Sequence, residues 1–586
     1  MKQIAFAGVG LLLLTFLLPS SRAAAGADEL FRDPSRSIDD RVTDLISRLT
    51  LEEKATLLDH RGPDVERFHI ASDKWNQCLH GVWWDRPTTM FPVSIALAAT
   101  WDLDLVHEET TAISDEARAI YNGWHDDPNF KGDHKGLIYR APVVNVSRNP
   151  YWGRINECFG EDPYLTGRMG VAYVKGLQGD DAKYLKLAAT LKHYAVNNVE
   201  QNRKALNAIV PERMLYEFWL PHFRDCIVEG QAQSIMASYN AINGTPNNIN
   251  HLLLTEILKD QWGFKGFVVS DLGGVDTMVK GHEKGKMGYE EAVAQSLNAG
   301  CDFSDKEFRM NIPGAVRAGL LTEARLNDAL TRVLRVRFRL GEFDPREAVP
   351  YSRISPDVID NAAHRQLALK VARESIVLLK NADHLLPLDR AKLKTIAVIG
   401  PHADVFTAGG YSGKVRNPVT PLAGIKNRAG AIEVLHAIGA QFGPPSLGEG
   451  RPPRASTAPF DRDAEIAKAV DAAKRADVAI LYVGTDLSIE GEGHDRPTLA
   501  LPGEQEALVK AVLAVNPRTV VVEMNAGPIT SPWMKQNVPA IIEAWWAGEE
   551  GGNAIADVLF GDVNPGGKMP LTVYASADQV PPQDEY

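Results

Sequence analysis

The feature that most constrains this chain is a recurring unit: a short apolar run, a polar or charged residue where it ends, and helical spacing of apolar residues beyond it. Residues 136–145, 185–193, 234–240 and 267–271 are such runs, and residues 212–229 and 289–299 carry the helical pattern. Runs without in-and-out alternation suit strands buried on both faces, as in a parallel sheet whose crossovers are helices. Residues 263–274 are the clearest case. Phe267, Val268 and Val269 lead to Asp271 at the C-terminal end of the run, where parallel α/β folds keep their chemistry, and Gly273 and Gly274 let the backbone turn away. Aspartate also suits a helix N-cap, so at this point cap and catalyst stand equally open.

At 586 residues the chain exceeds what one hydrophobic core organises. The repeating units predict a (β/α)8 TIM-barrel-like domain over residues 26–342, although they stop short of eight regular repeats. Residues 39–57 read as an opening helix, with Thr50, Leu51, Glu52 and Glu53 resembling a helix start. Residues 343–362, with Pro345, Pro350 and Pro356, read as a linker. Beyond it, residues 363–586 read as an α/β sandwich domain. Its strand-like runs are residues 394–400, 478–484, 519–525 and 539–545, its clearest helix is residues 463–475, and residues 439–457 form a loop rich in Gly, Pro and Ser.

A formal charge of −12 and the lack of any Lys/Arg run argue against a nucleic-acid surface and favour a small neutral ligand. Residues 1–25 hold Lys2, an apolar segment and then Ser-Ser-Arg-Ala-Ala-Ala, the pattern of a cleavable secretory signal. The mature protein is therefore expected to be secreted or periplasmic, without a membrane anchor. Cys78, Cys158, Cys226 and Cys301 are widely spaced and form no CxxC pair, which disfavours a zinc site. There is no Walker loop, HExxH or dinucleotide fingerprint, so neither metal nor cofactor is expected.

Six stretches in order then resemble glycoside hydrolase family 3, the β-glucosidase and β-xylosidase type: residues 76–81, 149–163, 192–203, 236–244, 269–271 and 490–496. The resemblance implies an exo-acting retaining β-glycosidase that removes terminal non-reducing β-D-glucosyl or β-D-xylosyl residues from oligosaccharides or aryl or alkyl β-glycosides by double displacement. Such chemistry needs an ionised carboxylate as nucleophile and a second carboxyl group as acid/base, roughly 5–5.5 Å apart in retaining enzymes. Asp271 matches the nucleophile, and Arg154, Lys192 and His193 match residues that hold sugar hydroxyls. Tyr239 matches a tyrosine beside the nucleophile. Cations near Asp271 are expected to lower its pKa.

The acid/base comes from the second domain in this family. Glu492 fits the spacing before Arg496 best, and Glu490 is the alternative. Gln77 stands where the resemblance predicts a carboxylate that binds the distal hydroxyls of the terminal sugar, which leaves the sugar preference open, arabinoside and glucuronide included. Each residue also has a plainer reading. Arg154 could simply pair with Glu157 or Asp162, His193 could be a satisfied core histidine, Tyr239 could pack under the barrel mouth, and Glu492 could sit in a solvated acidic loop. Trp83 and Trp84 form either a sugar-stacking platform or one core and one surface residue. A non-catalytic carbohydrate-binding protein would need neither carboxylate. A family branch that uses a His/Asp pair is disfavoured, because Lys192-His193 is followed by Tyr-Ala-Val-Asn-Asn.

Overall fold

The computed structural model describes residues 29–60, 62–72, 75–126, 136–282, 285–443 and 460–586. The signal-like residues 1–25 and most of the loop 439–457 lie outside them.

In the first domain the strands Ile138–Tyr139, Ala188–Tyr194, Ser234–Ala237 and Phe267–Ser270 form a parallel sheet in chain order. Single parallel bridges carry the ladder onward at both edges: Asn76 to Tyr139 on one side, Val269 to Phe303 and Asp59 to Ser304 on the other. The barrel is thus regular along one arc and made of bridging residues along the rest, which explains why the sequence shows fewer than eight repeats. All of Ala188–Tyr194 and Phe267–Ser270 are buried, as their unbroken apolar runs require.

Two helical readings need correction. Residues 39–57 form two helices, Ile38–Arg48 and Leu51–Leu57. The break falls at the helix-start signal, because Thr50 closes a capping box: its hydroxyl accepts from Glu53 N (3.3 Å) and its own N–H donates to Glu53 Oε2 (2.8 Å). Residues 212–229 divide into Glu212–Met214, a π-helical turn Leu215–Trp219 and Pro221–Val228. Pro221 lacks the N–H that would continue the helical ladder.

The second domain holds a six-stranded sheet in the spatial order Glu433–Ala437, Thr395–Ile399, Val478–Gly484, Thr519–Met524, Ala540–Glu543, Val377–Asn381. The first five are parallel and the last is an antiparallel edge. Alternate residues serve opposite faces. Ile396, Val398, Val520 and Val522 pack toward the helices Pro421–Ala429 and Gly551–Leu559, while Ala397, Leu481 and Val521 pack toward Arg462–Arg475 and Gln505–Leu513. Between the domains, residues 346–358 make three short 3-10 turns. The helix Ala362–Ser375 follows, with Leu367, Ala368 and Val371 in the first domain's core and Leu369 and Ala372 in the second's. All four cysteines are buried free thiols.

The strand that carries Asp271 is fixed from below by Asp302. This fully buried carboxylate accepts from Lys259 Nζ (3.0 and 2.9 Å), Arg325 Nη2 (2.7 Å) and Val268 N (3.0 Å). Burial alone would raise its pKa, but Lys259 and Arg325 outweigh that and hold it below the ordinary value. Asp302→Ala leaves those cations without a partner, so it should cost about 3–5 kcal/mol in urea unfolding. Because the folded pKa is lowered, this contribution should be present at neutral pH and lost as pH falls through the folded value. A loss under about 1 kcal/mol at neutral pH would contradict the assignment.

Candidate active site

Asp271 follows directly on the strand Phe267–Ser270 and is 8% exposed. Its N–H donates to Ala237 O (3.1 Å), continuing the parallel ladder, and its Oδ1 accepts from Leu272 N (2.7 Å). The helix that follows is capped by Gly273, at φ +72°, so Asp271 is not its N-cap. The other oxygen, Oδ2, lies 3.8 Å from His193 Nε2. Burial raises the Asp271 pKa above its ordinary value, as does Glu492, and Arg203 and Arg154 only partly offset this. The sequence reading expected the cations to lower it. They are engaged by other carboxylates, and desolvation prevails.

Lys192 and His193, joined by a cis peptide bond, lie near the end of the strand Ala188–Tyr194, which Ser234–Ala237 separates from the strand of Asp271. Asn145 clamps the histidine backbone: it accepts from His193 N (2.6 Å) and donates to His193 O (2.9 Å). Burial, with Arg154 and Lys192 nearby, keeps His193 well below the usual imidazole range and hence neutral. Lys192 Nζ donates to Gln77 Oε1 at 2.8 Å and lies 4.8 Å from the Tyr411 ring centroid. Burial brings Lys192 down to about 8. Beside them, His80 Nε2 is 2.7 Å from Ser412 Oγ, and burial lowers its pKa to about 4.

Arg154 is buried and forms the fork to Glu157 that its plainer reading anticipates, at 2.9 and 2.7 Å. Asp162 instead caps the helix Pro163–Gln178. The remaining Arg154 nitrogen, Nη1, reaches Glu492 Oε1 across the domain boundary at 3.5 Å. Arg203 does the same, with Nη1 2.9 Å from Glu200 Oε2 and Nη2 3.0 Å from Glu492 Oε1. Tyr411 donates to the other oxygen of Glu492 at 2.5 Å. Burial alone would raise Glu492, yet Arg154, Arg203 and the Tyr411 hydrogen bond outweigh it and hold the carboxyl well below its usual range. In the site as it stands, Glu492 is a carboxylate.

Glu490 is built differently. It is fully buried within its own domain and accepts from Thr485 Oγ1, Ala526 N (3.0 Å) and Gly527 N (3.0 Å). It anchors the loop. Asp495 pins the far end: its carboxylate accepts from Gly153 N (3.0 Å), Glu200 N (3.0 Å) and Gln201 N (3.1 Å), all in the first domain. Between these anchors Gly493 N donates to Glu200 Oε2 (2.9 Å), and Glu492 is left facing Asp271's surroundings.

Tyr239 is buried, donates to Leu272 O (2.8 Å), and lies under Arg203, whose guanidinium is 5.1 Å from the ring centroid. It fixes the backbone next to Asp271. Of the tryptophan pair, Trp84 is core at 6% exposure and Trp83 is 44% exposed, edge-on to Tyr411 at 5.8 Å. Thus the structure brings together Asp271, Glu492, Gln77, Arg154, Lys192, His193 and Tyr239. Sequence reasoning did not identify Tyr411, Arg203, Asn145 or Asp495 as site residues. Arg203, Asn145 and Asp495 lie in stretches already singled out; Tyr411 does not. Among the described residues no group of three or more His, Cys, Asp or Glu side chains is placed to hold a metal ion.

A barrel-like domain whose strand ends carry one carboxylate, completed by a loop from an α/β sandwich that carries another, defines a two-domain carbohydrate hydrolase. Residues 75–336 match the Glycosyl hydrolase family 3 N terminal domain and residues 376–586 the Glycosyl hydrolase family 3 C-terminal domain. The chain belongs to glycosyl hydrolase family 3 and is a glycoside hydrolase. It is 38% identical to β-D-xylosidase 3 of Arabidopsis thaliana over 570 residues, covering 93% of this chain and 70% of that one. It is 37% identical to a periplasmic β-glucosidase of Salmonella typhimurium, covering 84% of this chain and 64% of that one. Its fold superposes on a GH3 exo-β-xylosidase in complex with a xylobiose aziridine probe with a TM-score of 0.86, at 30% identity, over 94% of this chain and 71% of that one.

Gln77→Glu gives Lys192 a buried counter-ion, which should move the lysine's pKa up from about 8. In wild type, kcat/KM should fall as pH rises through that value, because the ammonium becomes a neutral amine. In Gln77→Glu that alkaline limb should shift upward, and use of glucosides or xylosides should strengthen by about 1–2 kcal/mol. A pH profile of kcat/KM with an unmoved alkaline limb would remove Lys192 from substrate binding.

Proposed function

We propose that the enzyme is an exo-acting, retaining β-glycosidase that removes terminal β-D-xylosyl or β-D-glucosyl residues, with Asp271 as nucleophile and Glu492 as acid/base. The observation that carries this is the pairing of the two carboxyls across the domain boundary. Glu492 raises the pKa of Asp271, the two share the cations Arg154 and Arg203, and their pKa values are displaced in opposite directions. Two carboxyls facing one set of cations from opposite domains are the pair that retaining hydrolysis needs, although these displacements run opposite to the two roles until substrate binds.

In the first step the Asp271 carboxylate attacks the anomeric carbon while the leaving oxygen takes a proton from Glu492. In the second, Glu492 accepts a proton from water as the glycosyl-Asp271 ester is hydrolysed. For the first step Glu492 must be protonated, whereas Arg154, Arg203 and Tyr411 hold it ionised. Sugar hydroxyls that draw the guanidinium groups of Arg154 and Arg203 away from Glu492 would raise its pKa as substrate binds. Lys192, His193 and Gln77 line the inner end, where the terminal sugar's distal hydroxyls would sit, and Trp83 with Tyr411 offers an aromatic wall at the mouth. The similarity to β-xylosidases and β-glucosidases supports both sugars. The signal-like residues 1–25 and the likeness to a periplasmic relative support export. No described helix is long and apolar enough to cross a membrane.

Asp271→Ala should abolish turnover of every glycoside while leaving thermal unfolding cooperative, since covalent catalysis has no second route. Residual activity above a trace would contradict the nucleophile assignment. Glu492→Ala should lose disaccharide hydrolysis by about 10²–10⁴-fold but still form the intermediate from a dinitrophenyl glycoside, and azide should then restore turnover. Glu490→Ala should instead lower stability, because Ala526 and Gly527 N–H lose their buried acceptor, without azide rescue. Azide rescue in Glu490→Ala and not in Glu492→Ala would reverse the two roles.

A further inference from the structure

Away from the domain boundary, the second domain's sheet is covered unevenly. On one face the helices Arg462–Arg475 and Gln505–Leu513 are followed only by the six-residue helix Pro532–Asn537. At that end, over the strands Thr519–Met524, Ala540–Glu543 and Val377–Asn381, a cavity of about 470 Å³ remains. Its walls include Ile529, Met534, Ile541 and Met569, and its sheet side presents Glu523 and Glu543. These two are register partners on adjacent parallel strands, so their side chains rise side by side from the same face, on strands about 4.8 Å apart.

The two carboxyls are unequally satisfied. Both oxygens of Glu543 accept hydrogen bonds, Oε1 from Trp545 N and Oε2 from Asn525 Nδ2, each at 2.9 Å, an arrangement that favours the ionised form. Glu523 is 7% exposed, and its side chain has no hydrogen bond or ion pair with any described residue. No described cation pairs with either. Of the charged and titratable groups around them, Lys380 on the edge strand donates to Lys535 O (2.7 Å) and Gln536 O (3.2 Å), while Lys535 and Tyr574 stand at the rim. Glu490 adds negative charge near Glu543. Burial pushes Glu523 up to about 8, and burial together with Glu523 pushes Glu543 up as well.

We propose that this cavity binds an organic ammonium: an apolar body fills the space between Ile529, Met534 and Ile541, and the ammonium rests on the carboxyl groups of Glu523 and Glu543. A cation favours the ionised form of the pair, which no described cation of the protein supports, and its N–H donors match the unused oxygens of Glu523. A sugar hydroxyl would satisfy hydrogen bonds but not charge, and the apolar walls suit it poorly. The volume is within the usual range for small-molecule sites, about 300–1,000 Å³. The site lies apart from Asp271 and Glu492 and does not depend on the catalytic reading.

The test is isothermal titration of the full chain with 2-phenylethylamine and with its neutral analogue 2-phenylethanol. The amine should bind one to one, about tenfold or more tighter than the alcohol. Its affinity should rise with pH between about 6 and 9, as the carboxyl pair ionises while the amine keeps its proton. Glu523→Gln should weaken the amine by about tenfold or more and leave hydrolysis of an aryl β-xyloside unchanged. Should that variant not fold, Leu379→Trp, which crowds the cavity while keeping both carboxyls, should cause the same loss. Equal binding of amine and alcohol, no binding of the amine by wild type up to about 10 mM, or amine binding that survives both variants would overturn the proposal.

Discussion

The buried ion network at the domain boundary is the constraint on which the rest of this active site depends. Arg154 and Arg203 each hold a first-domain carboxylate, Glu157 or Glu200, and each extends the remaining guanidinium nitrogen to Glu492 of the second domain. A buried guanidinium without a partner would be strongly destabilising, so these arginines come with obligatory carboxylates. What they have left over is directional. It fixes where the second domain's carboxyl can sit relative to Asp271, and the backbone N–H groups that converge on Asp495 hold the loop in register.

The same network sets the chemistry. Asp271 has a neutral histidine as its close neighbour and is governed by desolvation, while Glu492 is surrounded by cations and a tyrosine hydroxyl. The carboxyl cast as nucleophile therefore has the raised pKa and the one cast as acid has the lowered pKa. Catalysis in the proposed direction requires substrate to rearrange this balance. The sugar's hydroxyls are the available agents, because Arg154 and Arg203 can exchange Glu492 for a hydroxyl at little cost in hydrogen bonds.

Much of this was legible in the sequence because the informative residues are contiguous with strand ends. Asp271, Lys192 and His193 each terminate an apolar run, and the strand reading Val478–Gly484 coincides with the structure. The domain types follow from the same periodicity. What the sequence withheld is set by contacts between distant segments. Tyr411 meets Glu492 across 81 positions and Arg203 meets it across 289, with no local pattern to announce either. The edge strand Val377–Asn381 went unassigned: its apolar run is short and follows directly on the helix Ala362–Ser375. The expected lowering of Asp271's pKa failed for a related reason: charge counting along the chain shows the cations but not the carboxylates that already engage them.

The choice between Glu490 and Glu492 shows where structure adds most. Two residues apart in an acidic, glycine-rich loop, they are nearly equivalent in sequence, yet one carboxyl is bonded to the backbone of its own domain and the other crosses the boundary. The central claim is that Asp271 is the nucleophile toward which this whole arrangement converges. Incubation with an activated 2-deoxy-2-fluoro-β-xyloside, followed by peptide mass spectrometry, tests it most directly. The account predicts one fluorosugar per chain, attached to Asp271; attachment to any other residue, or inhibition without a covalent adduct, would contradict it.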